Sequence, residues 1–138
     1  MPQRKVIVSK ARFRASFAQT DASGVVHYAR VLSYFEQLEE SFFLKRNYGW
    51  PAQFQDGICL ARRELCCIYH SPIKHGDELL GTMSISEVGK SHARYEFKIK
   101  NLSTKKAALE GSLIVVAVAL PDWKKIEIPI KLRKILES

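Results

Sequence analysis

Asp21, Gly24 and Tyr28 stand within eight positions of one another, just ahead of a helical stretch, and together they can act on a carbonyl group. Gln19-Thr20-Asp21-Ala22-Ser23-Gly24 is rich in turn formers. After it, Val31, Tyr34 or Phe35, Leu38 and Phe42 recur at helical spacing until Asn47-Tyr48-Gly49-Trp50-Pro51 stops the pattern. A carboxylate placed there faces backbone N–H groups and the positive end of a helix. It can attack a carbonyl or activate a water, while the N–H groups around Tyr28 and the first helical turn hold the developing oxyanion. Gly24 marks a positive-φ turn and leaves no side chain in the way of a ligand approaching the backbone. Aspartate is also an ordinary turn or cap residue before a helix, so the reading of Asp21 depends on what surrounds it.

Other reactive side chains carry less. His27 is an imidazole at a helix start, where a solvated or structural role is common. Ser91 and His92 open a strand at its edge. Glu36, Glu39 and Glu40 read as the solvated polar face of the amphipathic helix. Cys66 and Cys67 lack a motif-supported histidine base and read as small hydrophobes. With Cys59 they make an odd number, and no C-x-x-C or Cys/His ligand spacing occurs, so neither a disulfide framework nor a metal site is expected.

The elements that must position these residues follow from periodicity. Residues 10–17 alternate, with Ala11, Phe13, Ala15 and Phe17 on one face of a strand. One long helix follows the Asp21 loop. Further strands are predicted at 58–71, 78–87 and 91–100, the last alternating Ala93, Tyr95, Phe97 and Ile99 against polar residues, with short breaks at 72–77 and 88–90. The run from Leu113 to Leu120 is apolar on both faces and needs cover on both sides. A loop at 121–129 and a short helix at 131–136 close the chain. A lone long helix among hairpin-linked strands predicts an α+β domain, an antiparallel five-stranded sheet wrapped on that helix.

The segment from Phe17 through Asp21, Gly24, Val25, Val26, His27 and Tyr28 to Glu36 resembles the active-site segment of the 4-hydroxybenzoyl-CoA thioesterase-like family. That family carries T-D-x-x-G-V-V, then two aromatic or histidine positions, then its central helix. A second block, Tyr69-His-Ser-Pro72-Ile-Lys-His-Gly76-Asp77, is similar to the family's Y-x-x-P-x-x-x-G-D. The stretch Ala119-Leu-Pro-Asp-Trp-Lys-Lys-Ile-Glu-Ile-Pro129 is similar to its last strand and following loop, and to the ending of its 1,4-dihydroxy-2-naphthoyl-CoA hydrolase branch.

The resemblance implies a hotdog fold and an acyl-CoA thioesterase, with Asp21 as nucleophile or general base and Tyr28 at the oxyanion site. Substrate contacts are implied for Gly24, His27, Ser91 and His92, the last two reaching the site from a neighbouring subunit. The order His27-Tyr28 reverses the Tyr-His of the short-chain and Tol-Pal-associated branch; Tyr28 instead matches the aromatic position of the 4-hydroxybenzoyl type, which with the similar ending implies an aromatic acyl group. A short-chain aliphatic acyl-CoA or acyl-carrier-protein thioesterase is the alternative within the class, and a non-catalytic acyl-CoA-binding hotdog module the alternative outside it. No cofactor is implied. A homodimer, or a homotetramer of two dimers, with the site at the subunit interface, is expected.

Composition is consistent with these expectations. At 138 residues and 46% hydrophobic, one domain over 1–138 has enough apolar material for a core. The net charge of +8 suits a phosphate-bearing ligand; the basic residues are spread out with no nucleic-acid recognition pattern, so no nucleic-acid partner is expected. Arg62, Arg63, Lys74, Lys90, Arg94, Lys98 and Lys100 can supply cations for the phosphates of CoA. No run of 18 apolar residues occurs and Met1-Pro2-Gln3-Arg4-Lys5 does not open an export signal, so no membrane association and a cytoplasmic location are expected.

Overall fold

A computed structural model describes residues 6–138; the reading of residues 1–5 as opening no export signal lies outside them. The first strand, β1 (Ile7–Arg14), alternates as predicted, with Ser9 buried, Ala11 and Phe13 against the core, and Lys10, Arg12 and Arg14 outward. It starts and ends earlier than the predicted 10–17. Phe17 opens a short 3-10 turn (Phe17–Gln19) and is 76% exposed. Polar side chains here satisfy the backbone locally: Gln19 Oε1 accepts the Ser16 N–H at 3.1 Å and Thr20 Oγ1 donates to the Phe17 carbonyl at 2.7 Å, which competes with strand pairing.

The long helix α1 (Leu32–Leu44) buries Tyr34, Phe35, Leu38, Phe42 and Phe43 as its spacing predicts. A second helix, α2 (Trp50–Gln55), stands where the sequence showed only a stop, because Pro51 sits in its first turn, where a missing N–H costs nothing. Then come β2 (Ile58–Tyr69), β3 (Glu78–Val88), β4 (His92–Asn101) and β5 (Lys106–Ala119), a two-residue β6 (Lys124–Lys125), and α3 (Ile130–Leu136). β5 begins at Lys106 rather than at residue 113. Its first half is held by ladders on both sides, Leu109 facing Ile99 of β4 and Tyr69 of β2, so backbone pairing extends the strand past its apolar run.

The strands form one antiparallel sheet in the order β1-β3-β4-β5-β2, with β6 added beside β5. The chain therefore crosses from one edge to the other through α1, which lies on the sheet. Two glycines admit the helix. A Cβ at Gly81 of β3 would stand 3.1 Å from Leu38 and 2.7 Å from Phe13, and one at Gly111 of β5 would stand 2.5 Å from the Phe35 ring. The Phe35 ring stacks on Phe97 at 4.6 Å. This is the α+β hotdog arrangement, a sheet wrapped on one central helix. No helix among the described residues is long and apolar enough to cross a membrane.

Candidate active site

The loop between β1 and α1 folds on itself around Asp21. The Asp21 N–H donates to the Val25 carbonyl at 2.8 Å and the Gly24 N–H donates back to the Asp21 carbonyl at 3.0 Å. Gly24 holds this turn at φ +84°, which disfavours other residues, and a Cβ there would meet nothing within 4 Å. Ser23 gives Asp21 Oδ1 two hydrogen bonds, from its N–H at 2.8 Å and its hydroxyl at 2.5 Å. Those bonds favour the ionised form and hold the Asp21 carboxyl below its usual range. The Val25 backbone adds to the same effect, and the residue is exposed, so a charged carboxylate stands open to solvent.

The donors nearest this loop come from a turn rather than from α1 itself. α1 starts at Leu32, and residues 28–31 form turns ahead of it. This corrects the expectation that the first helical turn lies next to Tyr28. Each peptide around Tyr28 is fixed on its other atoms. The His27 N–H donates to the Gln19 carbonyl at 2.8 Å, and the His27 carbonyl accepts the Arg30 N–H at 2.9 Å. The Tyr28 carbonyl accepts the Tyr69 hydroxyl at 2.5 Å, and the Ala29 N–H donates to His27 Nδ1 at 3.1 Å. The Tyr28 N–H itself has no acceptor among the described residues. The Tyr28 ring is 70% exposed and stacks on the His27 ring at 4.5 Å.

The second sequence block docks against the first. The Val26 N–H donates to the Ile73 carbonyl at 2.7 Å, and Val25 bridges Lys74. Gly76 (φ +85°) gives its N–H to the Ala15 carbonyl at 2.8 Å, and Asp77 Oδ2 takes the Lys74 N–H at 2.9 Å and the Asn101 amide at 2.7 Å. Asp77 therefore shapes the turn that carries the loop. Between the two blocks lies a cavity of about 330 Å³ whose walls include Asp21, Val26, Tyr28, Val31, Tyr69 and Ile73. Tyr69 and Ile73 line this cavity, which the sequence reading did not anticipate, although Tyr69 opens the second motif. A larger cavity, about 450 Å³, lies against Cys66, Thr82, Arg94 and Lys98 and contains neither Asp21 nor Tyr28.

Not every expected residue reaches this place. Ser91 and His92 sit at the opposite end of β4 from Asn101, whose amide holds Asp77 beside the loop. A strand of this length separates them from the site by roughly 30 Å within one chain. There the Ser91 carbonyl accepts the Ala117 N–H at 2.8 Å and His92 Nε2 lies 3.2 Å from Glu87. Glu39 is not on a solvated face: it is 1% exposed, and both its oxygens meet the Arg62 guanidinium, Oε2 at 2.9 Å from Nη1. The helix stripe is wider than the apolar residues alone show, and Arg62 on β2 supplies the counter-charge. That engagement takes Arg62 out of the set of free cations.

With this geometry in view, the family model of the thioesterase superfamily matches residues 23–108, starting two positions after Asp21. Among solved structures, a 1,4-dihydroxy-2-naphthoyl-CoA thioesterase from Synechocystis is similar in fold, with a TM-score of 0.86 and 19% identity over 94% of this chain and 96% of that one. A DHNA-CoA thioesterase from Staphylococcus aureus gives a TM-score of 0.85 and 17% identity over 94% and 88%. A gentisyl-coenzyme A thioesterase gives 0.80 and 19% over 92% and 98%. With more than half of its length matched by the family model, this chain belongs to the thioesterase superfamily and is a thioester hydrolase.

Proposed function

We propose that this protein hydrolyses an acyl-CoA thioester to the free acid and CoA, with an aromatic acyl group as its preferred cargo. The observation that carries the reading is the cavity whose walls include both Asp21, with a carboxyl held toward its ionised form, and Tyr28, whose N–H has no acceptor among the described residues. The Asp21 carboxylate attacks the thioester carbonyl or draws a proton from water, and the Tyr28 N–H receives the oxygen as it gains charge. The thiolate of CoA then leaves and takes a proton from solvent; where Asp21 is the nucleophile, a water then cleaves the acyl–Asp21 anhydride to the free acid and restores the carboxylate. The cavity's apolar walls, Val26, Val31, Ile73 and Leu109, with the Tyr28 and Tyr69 rings, suit a flat acyl group. The aromatic acyl groups in the names of three structurally similar proteins support the same choice.

The working unit on this reading is a dimer. β2 lies at a sheet edge with Leu65, Ile68 and Tyr69 about half exposed, 48%, 49% and 51%, which suits pairing with a second copy. Ser91 and His92 of a neighbouring copy, rather than those of the same chain, remain the proposed further substrate contacts, and Gly24 leaves the approach to the backbone open.

Free-thiol release from benzoyl-, 4-hydroxybenzoyl-, dihydroxynaphthoyl-, acetyl-, butyryl- and palmitoyl-CoA, on the protein and on Asp21→Asn, tests the reading. Turnover of an aromatic thioester, lost in Asp21→Asn, is expected. Turnover of none, with CoA esters still bound, would leave a binding module instead.

A further inference from the structure

We infer that His27 and Tyr69 are positioning residues that clamp the peptide between Tyr28 and Ala29 from its two ends and so aim the Tyr28 N–H into the cavity. The inference rests on the proposed thioester hydrolysis and names what holds its oxyanion donor in place.

The clamp has two arms. On one side, the Tyr69 hydroxyl, at the end of β2, donates to the Tyr28 carbonyl at 2.5 Å, forty-one positions along the chain. On the other, the N–H of the same peptide, that of Ala29, donates to His27 Nδ1 at 3.1 Å. A backbone N–H can only donate, so Nδ1 must be the bare nitrogen, and a neutral His27 carries its proton on Nε2. Nδ1 is therefore unavailable to substrate. Burial and the neighbouring Cys67 thiol push the Tyr69 phenol up, which keeps it a protonated donor.

The next peptide upstream is held just as firmly through its carbonyl, by the Arg30 N–H at 2.9 Å, and the one before that through the His27 N–H. Tyr28 thus sits between fixed neighbours with its own N–H left over. Backbone bonds three residues apart run through the turn, Arg30 N–H to the His27 carbonyl at 2.9 Å, Leu32 N–H to the Ala29 carbonyl at 3.3 Å and Ser33 N–H to the Arg30 carbonyl at 3.1 Å, and among the described residues they leave the Tyr28–Ala29 peptide to the two side chains. Tyr69 also ties the site to the sheet edge, since β2 ends the strand order.

The test combines kinetics with a readout that needs no turnover. Tyr69→Phe and His27→Phe keep ring bulk and stacking but remove one arm each. Both are expected to lower kcat about 10- to 100-fold, the scale of a misplaced reacting group, with KM nearly unchanged and the melting temperature held. His27→Asn, whose side-chain oxygen accepts the N–H two residues on as in an Asx turn, is expected to restore most of the kcat lost in His27→Phe. Because both arms hold one peptide, the double Phe variant should lose less than the product of the two single losses. In parallel, NMR on the wild type should show slow exchange of the Ala29 amide and a bare-nitrogen shift for His27 Nδ1, and exchange should quicken in His27→Phe. Should His27→Asn prove as impaired as His27→Phe, or Tyr69→Phe keep full kcat, the clamp is wrong. If the wild type cleaves no thioester at all, the functional reading falls, while the Ala29 exchange and the His27 nitrogen shift still decide the clamp.

Discussion

The Ser23 hydroxyl donates to Oδ1 of Asp21 at 2.5 Å while the Ser23 N–H reaches the same oxygen at 2.8 Å, so one serine stabilises the carboxylate's charge with two donors on one oxygen. The folded-state pKa of Asp21 is lowered by these bonds, so the ionised form persists below the ordinary carboxylate range and the acid limb of kcat/KM should lie there too. Ser23→Ala removes the largest cause, and the limb should move upward toward the ordinary aspartate value. A pH–rate profile of both proteins checks this; an unmoved limb would assign it to another group.

The side chain and the backbone of Tyr28 have separable jobs. Tyr28→Ala keeps the N–H, so kcat should stay within a few-fold. Loss of the exposed ring should raise KM for an aromatic acyl-CoA about three- to tenfold, the worth of one aromatic contact, and leave KM for acetyl-CoA nearly as it was. Steady-state kinetics on the two substrates separate the effects.

Glu39 and Arg62 form a buried bond between α1 and β2. Burial raises the folded pKa of Glu39, and Arg62 offsets part of that rise. A raised carboxylate pKa means that the folded state takes up a proton more readily, so stability is greater at low pH and falls as pH climbs through the unfolded and then the folded pKa. Arg62→Ala removes the offset and should cost about 3 kcal/mol at pH 7, the lower end for a broken buried pair because the Arg62 side chain is 44% exposed. The deficit should shrink as pH is lowered toward 5, and Glu39→Gln in the same background should recover part of it. Urea midpoints across pH provide the check.

Gly111→Ala places a methyl 2.5 Å from the Phe35 ring and 3.3 Å from the Cys66 carbonyl. The helix must shift or the ring must turn, at about 1–3 kcal/mol, read as a lower melting temperature. Gly24→Ala, by contrast, meets no atom within 4 Å, so its cost should come from the positive φ alone.

Leu65→Lys puts a charge on the free edge of β2, a device that blunts strand pairing. Light scattering should then show the smaller particle, with activity falling alongside it if the dimer is the working unit.

Much of this architecture was legible in local pattern. Alternation in β1 and β4, the helical stripe of α1, and the turn residues around Asp21 and Gly24 are short-range properties, set by side-chain period and by φ preference. The two motif blocks also carried the family. What local pattern misplaced were ends and reach: β5 runs back to Lys106 because ladders on both sides hold it, and α1 starts at Leu32 because the turn at 28–31 comes first. Only the tertiary structure could decide that Tyr69 meets Tyr28 across forty-one positions, that Glu39 turns inward to Arg62, and that Ser91 and His92 stand at the far end of their strand from Asp21. Each of these depends on which strands lie side by side, and strand order is set by the packing of the whole sheet on one helix, a long-range property that no window of sequence contains.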